Sequence, residues 1–152
     1  RKPEYKGISL TRREGSKMNR PNWNTYFLNI AKEIASRATC PRASVGAVIV
    51  KNNRIITTGY NGAAAGEEHC TDVGCDVVDN HCQRAVHAEV NAVAEAARFG
   101  LAVEGATLYY WDSLGRPESC NNCLQVMKAA GIYRLVDRSG KSLIIRNDIE
   151  AR

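Results

Sequence analysis

The sequence predicts an α/β domain of three layers, with helices on both faces of a central mixed sheet of about five strands. Apolar residues recur at helical and then at strand spacing in the order helix, hairpin, helix, strand, helix, strand. A helix between two strands is a crossover, which calls for parallel neighbours, whereas a tight turn joins antiparallel ones, so the sheet must be mixed. The third observation is chemical: the second and third helices open on histidine and cysteine side chains of the kind that hold a metal.

Asn22 caps the first helix, whose apolar positions Trp23, Tyr26, Phe27, Ile30 and Ile34 fall on one stripe; the pattern ends near residues 37–39. Residues 45–51 form an apolar, β-branched run, and Asn52-Asn53 turns it into residues 54–59, a hairpin. A long irregular stretch opens at Tyr60-Asn61-Gly62 and runs to Cys82; loops of that length inside a domain are functional or are held by something other than a core. The second helix runs from His87 to about Phe99 on Val90, Val93, Ala94 and Ala97, and Gly100 closes it. Residues 106–111 read as a strand and residues 112–119 as a loop delivering Cys120. The third helix then carries Leu124, Val126, Met127 and Ala130 up to Gly131, before strands at residues 132–136 and 141–146.

The chain has 152 residues, 44% of them hydrophobic, enough for one core and no sign of a second domain. Residues 1–17 are polar, charged and without periodicity, which predicts a disordered extension or expression remnant ahead of a single domain at 18–152. Lys2, Lys6, Arg12, Arg13 and Lys17 lie in that stretch and inflate the formal charge of +5. The remaining basicity suits an anionic small molecule such as a nucleotide phosphate. It falls short of a long nucleic-acid site, for which no basic stripe with interleaved aromatics appears. No apolar run spans a bilayer and no secretory pattern is visible, so a cytoplasmic protein with reduced thiols is expected.

His87 with Cys120 and Cys123 supplies three ligands for Zn²⁺ and leaves the fourth tetrahedral position to water, the mark of a catalytic site. The two cysteines are three residues apart, so one helix face presents both sulfurs. Both ligand sets stand at helix N-termini, whose positive dipole ends favour thiolates. Glu89 follows His87 in the same turn, within reach of a proton from metal-bound water. A scaffold reading competes, in which Glu89 is itself the fourth ligand of a closed structural site. Cys40, Cys70, Cys75 and Cys82 are four thiols this site does not use, enough for a separate closed zinc site; His69 or His81 could replace one of them, and plain free cysteines are the alternative.

Five segments in this order, residues 40–48, 59–62, 70–82, His87-Ala88-Glu89-Val90-Asn91-Ala92 and Cys120-x-x-Cys123, resemble the zinc-dependent cytidine/deoxycytidylate deaminase superfamily, and within it the bacterial and phage deoxycytidylate (dCMP) deaminases. The likeness spans residues 22–137. It implies the cytidine-deaminase fold and hydrolysis of dCMP to dUMP and ammonia, a supply of dUMP for thymidylate synthesis. It implies a catalytic zinc on His87, Cys120 and Cys123, with Glu89 carrying the proton to N3 and then to the leaving amine, and a structural zinc on Cys40, Cys70, Cys75 and Cys82. Arg42 is implied as a phosphate contact, Asn61 as the holder of the deoxyribose and Ala88 as a further substrate contact. Homo-oligomers, hexamers or dimers, and control by dCTP and dTTP are also implied. Two departures stand out. The link Tyr110 to Ser119 is long and has Ser119 where the signature has proline; it borders the base pocket and so bears on whether dCMP, a 5-substituted dCMP or another cytosine or purine nucleotide is taken. Ala64 or Ala65 stands where the loop after Gly59-Tyr60-Asn61-Gly62 usually carries a proline. A zinc-stabilised nucleotide-binding module without catalysis is the non-enzymatic rival.

Overall fold

In the computed structural model, which describes residues 19–116 and 119–152, Asn22 opens the first helix by accepting the Thr25 N–H on its side-chain oxygen at 2.8 Å. The extension expected at residues 1–17 lies outside the described residues. Helix α1 spans Trp23–Ala35, ending before the expected 37–39 because the chain turns there to bring Thr39 N–H onto the Asn61 carbonyl at 3.1 Å. Strands β1 (Val45–Lys51) and β2 (Arg54–Tyr60) form the expected hairpin. Its turn places Asn52 and Asn53 at φ 52° and 56°, the left-handed pair that a two-residue hairpin of this twist requires and asparagine tolerates.

The stretch to Cys82 is less irregular than the sequence indicates. It holds a single helical turn, α2 (Cys70–Val73), and a two-residue hairpin of β3 (Val77–Val78) with β4 (His81–Cys82). Then come α3 (Ala88–Arg98), β5 (Thr107–Asp112), α4 (Asn121–Ala129), β6 (Arg134–Val136) and β7 (Ser142–Ile144). The main sheet has five strands in the order β2-β1-β5-β6-β7. β5 and β6 are parallel across the α4 crossover, and the other neighbours are antiparallel. The α3 crossover also joins strands of like direction, β2 and β5, but β1 lies between them, antiparallel to both.

β1 is buried on both faces, which is why its sequence is continuously apolar rather than alternating. Val45, Ala47 and Ile49 point into a cluster with Ala88, Ala92 and Ala96 of α3 and Met127 of α4. Val48 and Val50 point the other way, against Phe27 and Ala31 of α1. This is the three-layer α/β architecture, α1 on one face and α3 with α4 on the other. Each wholly buried side chain of the Phe27, Ile49 and Met127 kind stabilises by roughly 1.5–3 kcal/mol. The small residues of α3 bring it close to the sheet: a Cβ on Gly59 of β2 would collide with the Ala88 carbonyl and the Ala92 amide. No helix among the described residues is long and apolar enough to cross a membrane.

Candidate active site

His87 and Cys120 are the N-cap residues of α3 and α4, so the packing of these two helices brings the ligands together. The His87 Nδ1 atom lies 3.2 Å from Cys123 Sγ and 3.4 Å from Cys120 Sγ, and the two sulfurs are 3.2 Å apart. A tetrahedral zinc with Zn–S of about 2.3 Å and Zn–N of about 2.0 Å separates its ligand atoms by roughly 3.5–3.8 Å, so an opening of a few tenths of an ångström admits the ion. The donor set, two sulfurs and an imidazole, is one that zinc prefers. Burial, and next the negative charge of Glu89, push the Cys123 thiol pKa up, so that without a cation this corner would hold its proton.

The loop before His87 is pinned from two sides. Gly62 and Val86 exchange both backbone hydrogen bonds, at 3.1 and 2.8 Å, and Asn91 Nδ2 donates to the Tyr60 carbonyl at 2.8 Å. The Gly59-Tyr60-Asn61-Gly62 segment therefore holds the histidine loop in place.

Glu89 is 5% exposed and lines the same cleft. The donor atoms that lie mutually within 4.8 Å are those of His87, Cys120 and Cys123, and no Glu89 oxygen belongs to that group. Its Oε1 instead accepts a hydrogen bond from Ser119 Oγ at 2.5 Å. The carboxylate is thus tethered to Ser119 and lies outside the group of three donor atoms.

The cleft, of about 310 Å³, is lined by Arg42, Asn61, His81, Ala88, Glu89 and Tyr110 among others. Arg42 is held over it by Asn80, accepting at 2.9 Å through Oδ1 and at 3.2 Å through the backbone carbonyl. Asn80 sits at φ 63° in the β3–β4 turn, so the cysteine-rich segment itself positions the arginine. Asn61 is buried with both ends of its amide engaged: Oδ1 accepts from Val45 N–H and Nδ2 donates to the Ala43 carbonyl, each at 2.8 Å. Ala88 is fully buried in the cleft wall.

Cys40, Cys70 and Cys75 bring their sulfurs mutually within 4.8 Å. Cys40 and Cys75 are 4.0 Å apart, and Cys82 stands outside that mutual group but 3.5 Å from Cys70. Three sulfurs gathered in this way, with Cys82 against one of them, supply the donor set of a closed zinc site, and Cys82 would have to move inward to complete it. Burial pushes the Cys70 thiol up to about 12, helped by Cys82 and Cys75. Burial opposes ionisation of Cys82 as well, yet the backbone at Ala85, Arg84 and Asp76 hydrogen-bonds its thiolate and holds it at about 7. His69 and His81 lie outside the group; His69 Nδ1 is buried without a partner, and the exposed His81 ring faces that of His87 with centroids 6.3 Å apart.

Three features of the site were not read from the sequence. They are the Ser119–Glu89 contact, the His81–His87 pair, and the knot at the cleft rim in which Arg116 Nε donates to Asp112 Oδ2 at 2.6 Å while Tyr110 Oη donates to the Arg116 carbonyl at 3.0 Å. The first had a signal, the departure from proline at position 119; the other two had none.

Fold and site together define a three-layer α/β protein whose His87, Cys120 and Cys123 donors could hold a metal, with the buried Glu89 lining the same cleft. Residues 21–137 match the family model described as the cytidine and deoxycytidylate deaminase zinc-binding region. The chain belongs to the cytidine and deoxycytidylate deaminase family. It is 44% identical over 115 residues to ComE operon protein 2 of Bacillus subtilis, covering 76% of this chain and 58% of the length of that protein. It is 41% identical over 130 residues to the deoxycytidylate deaminase of Mycobacterium phage D29, covering 78% of this chain and 96% of the relative. The fold is similar to that of the dCMP deaminase from cyanophage S-TIM5, solved in complex with dCMP and dUMP, at a TM-score of 0.64 and 24% identity over 78% of this chain and 82% of that one.

Proposed function

We infer that this chain is a zinc-dependent hydrolase that deaminates dCMP to dUMP with release of ammonia. The observation that carries the reading is the corner formed by His87, Cys120 and Cys123 with Glu89 buried beside it and outside the group of donor atoms. The 41% identity to a phage deoxycytidylate deaminase along nearly its whole length supports dCMP as the substrate.

His87, Cys120 and Cys123 would hold a zinc ion, which when bound would supply Lewis acidity to activate water near neutral pH. Glu89 would take a proton from the water that adds to C4 and deliver it to N3 of the cytosine. It then moves the second proton, lost from the new hydroxyl at C4, to the exocyclic nitrogen. The C4–N4 bond breaks, ammonia leaves, and the oxygen stays as the uracil carbonyl. Arg42, steadied by Asn80 through Nη2, offers its planar fork to the 5′-phosphate. Asn61 fixes the residue 43–45 loop that forms the cleft wall, and its second amide N–H is the one left for the deoxyribose. Ala88 keeps the wall flat where the base enters.

In the same reading a second, structural zinc sits on Cys40, Cys70, Cys75 and Cys82, making the segment that carries Asn80 rigid. The protein is then a cytoplasmic homo-oligomer that responds to dCTP and dTTP. Ammonia release measured across dCMP, CMP, 5-methyl-dCMP, deoxycytidine and dCTP tests the substrate. dCMP is expected to give the highest kcat/KM; a clear preference for 5-methyl-dCMP or for deoxycytidine would overturn that choice.

A further inference from the structure

Ser119 occupies the position where the zinc-deaminase signature carries proline, a residue without a side-chain donor. Here the side chain is a hydroxyl, 7% exposed, and its Oγ donates to Glu89 Oε1 at 2.5 Å. The bond links the first turn of α3 to the residue that precedes Cys120, the N-cap of α4. It therefore ties the acid to the same two helices that hold the metal ligands.

We propose that Ser119 is a positioning residue for Glu89, a role that the signature proline has no donor to perform. The inference rests on the deaminase reading of the site. A free glutamate side chain has several rotamers to lose, and a buried hydrogen bond to one oxygen removes most of that freedom before substrate arrives. The tether also survives proton transfer. While Glu89 is ionised, Oε1 accepts from the serine. When Glu89 carries its proton on Oε2, Oε1 is the carbonyl oxygen and accepts still. Oε2 is thereby left free for the reacting atoms through both halves of the cycle.

The test uses Ser119→Ala, Ser119→Thr and Ser119→Pro in the zinc-loaded protein. For Ser119→Ala and Ser119→Pro, compared with the parent at equal zinc content because the same hydroxyl also hydrogen-bonds Cys123, kcat for dCMP is expected to fall about 10- to 100-fold, the worth of a hydrogen bond to a charged group, with KM unchanged. Ser119→Thr keeps the hydroxyl and is expected to stay within about 3-fold of the parent, since a β-branched side chain retains the donor at some cost in fit. Equal kcat in the alanine variant, or a loss in threonine as large as in alanine, overturns the role. A second measurement needs no turnover: thermal midpoints of Ser119→Ala, Glu89→Ala and the double variant. A coupling of about 3 °C or more shows the tether, and additive shifts refute it. Coupled midpoints in a protein that releases no ammonia from any nucleotide would leave the tether standing while overturning the deaminase reading and the catalytic part of this inference.

Discussion

Replacing Asn61 with alanine separates two roles that the geometry gives one side chain. Its amide is the partner of Val45 N–H and of the Ala43 carbonyl, each at 2.8 Å, and both backbone groups lose that partner in the variant. A buried group left unsatisfied costs about 1–3 kcal/mol. Val45 is 8% exposed and takes the upper part of that range, whereas water can reach half-buried Ala43, so the sum is about 2–4 kcal/mol. A domain of this size unfolds with roughly 0.3 kcal/mol/K of entropy, so the thermal midpoint should fall by about 10 °C. Asn61→Asp keeps the acceptor for Val45 but sets an oxygen against the Ala43 carbonyl, and should lose an intermediate amount. Differential scanning fluorimetry of the zinc-loaded proteins reads the shift, and steady-state kinetics on dCMP read the sugar contact as a rise in KM. A midpoint within about 2 °C of the parent together with a raised KM would refute the structural argument, making Asn61 a ligand to the sugar and little else.

Cys75→Ser should bind one zinc where the parent binds two, lose thermal stability, and keep the zinc at His87, Cys120 and Cys123; a single zinc per chain in the parent protein would dispose of the structural site. Zinc uptake by that site should strengthen as pH rises. The Cys70 thiol sits at about 12, so at neutral pH it must shed its proton to bind, and apparent affinity should climb about tenfold per pH unit for each such proton. Chelator competition at pH 6 and 8 checks the slope; a pH-independent affinity would contradict it. Gly59→Ala should push the N-terminal turn of α3 off β2, because the added Cβ meets backbone of Ala88 and Ala92 rather than a movable side chain. Activity should fall at least about tenfold with a lowered midpoint, a 1 Å shift of catalytic groups being worth up to about 10²-fold; an unchanged kcat would show that the helix moves without disturbing His87 and Glu89.

The local features were legible because local chemistry decides them. Asn22 as a cap, Asn52-Asn53 as a tight turn and His87 and Cys120 at helix starts all follow from residue types at fixed offsets. The apolar, β-branched run of β1 announced a hairpin strand, but not that the strand would lie between β2 and β5. That order is set by long-range packing of α3, for which one sequence carries no signal. The segment from Gly62 to Cys82 has no apolar periodicity because sulfurs rather than a core gather it, and so its helical turn and small hairpin were invisible. The site shows the same division. Ligand spacing is local and was readable, whereas the Ser119–Glu89 bond joins residues thirty apart through the packing of two helices. Asn61 was read through its motif as a sugar contact; its backbone partners Ala43 and Val45 depend on how the hairpin folds back on the loop before it.

The most direct test of the account is ammonia release from dCMP by Glu89→Gln, with zinc content measured on the same sample. The glutamine keeps the shape of the side chain and cannot carry the proton, so the variant should hold its metal and its fold while kcat falls by about 10²–10⁴-fold or more. Activity near that of the parent in a fully zinc-loaded variant would contradict the assignment of Glu89 as the proton carrier. A variant that loses the zinc of the His87, Cys120 and Cys123 corner would instead make the glutamate a ligand and the site a scaffold.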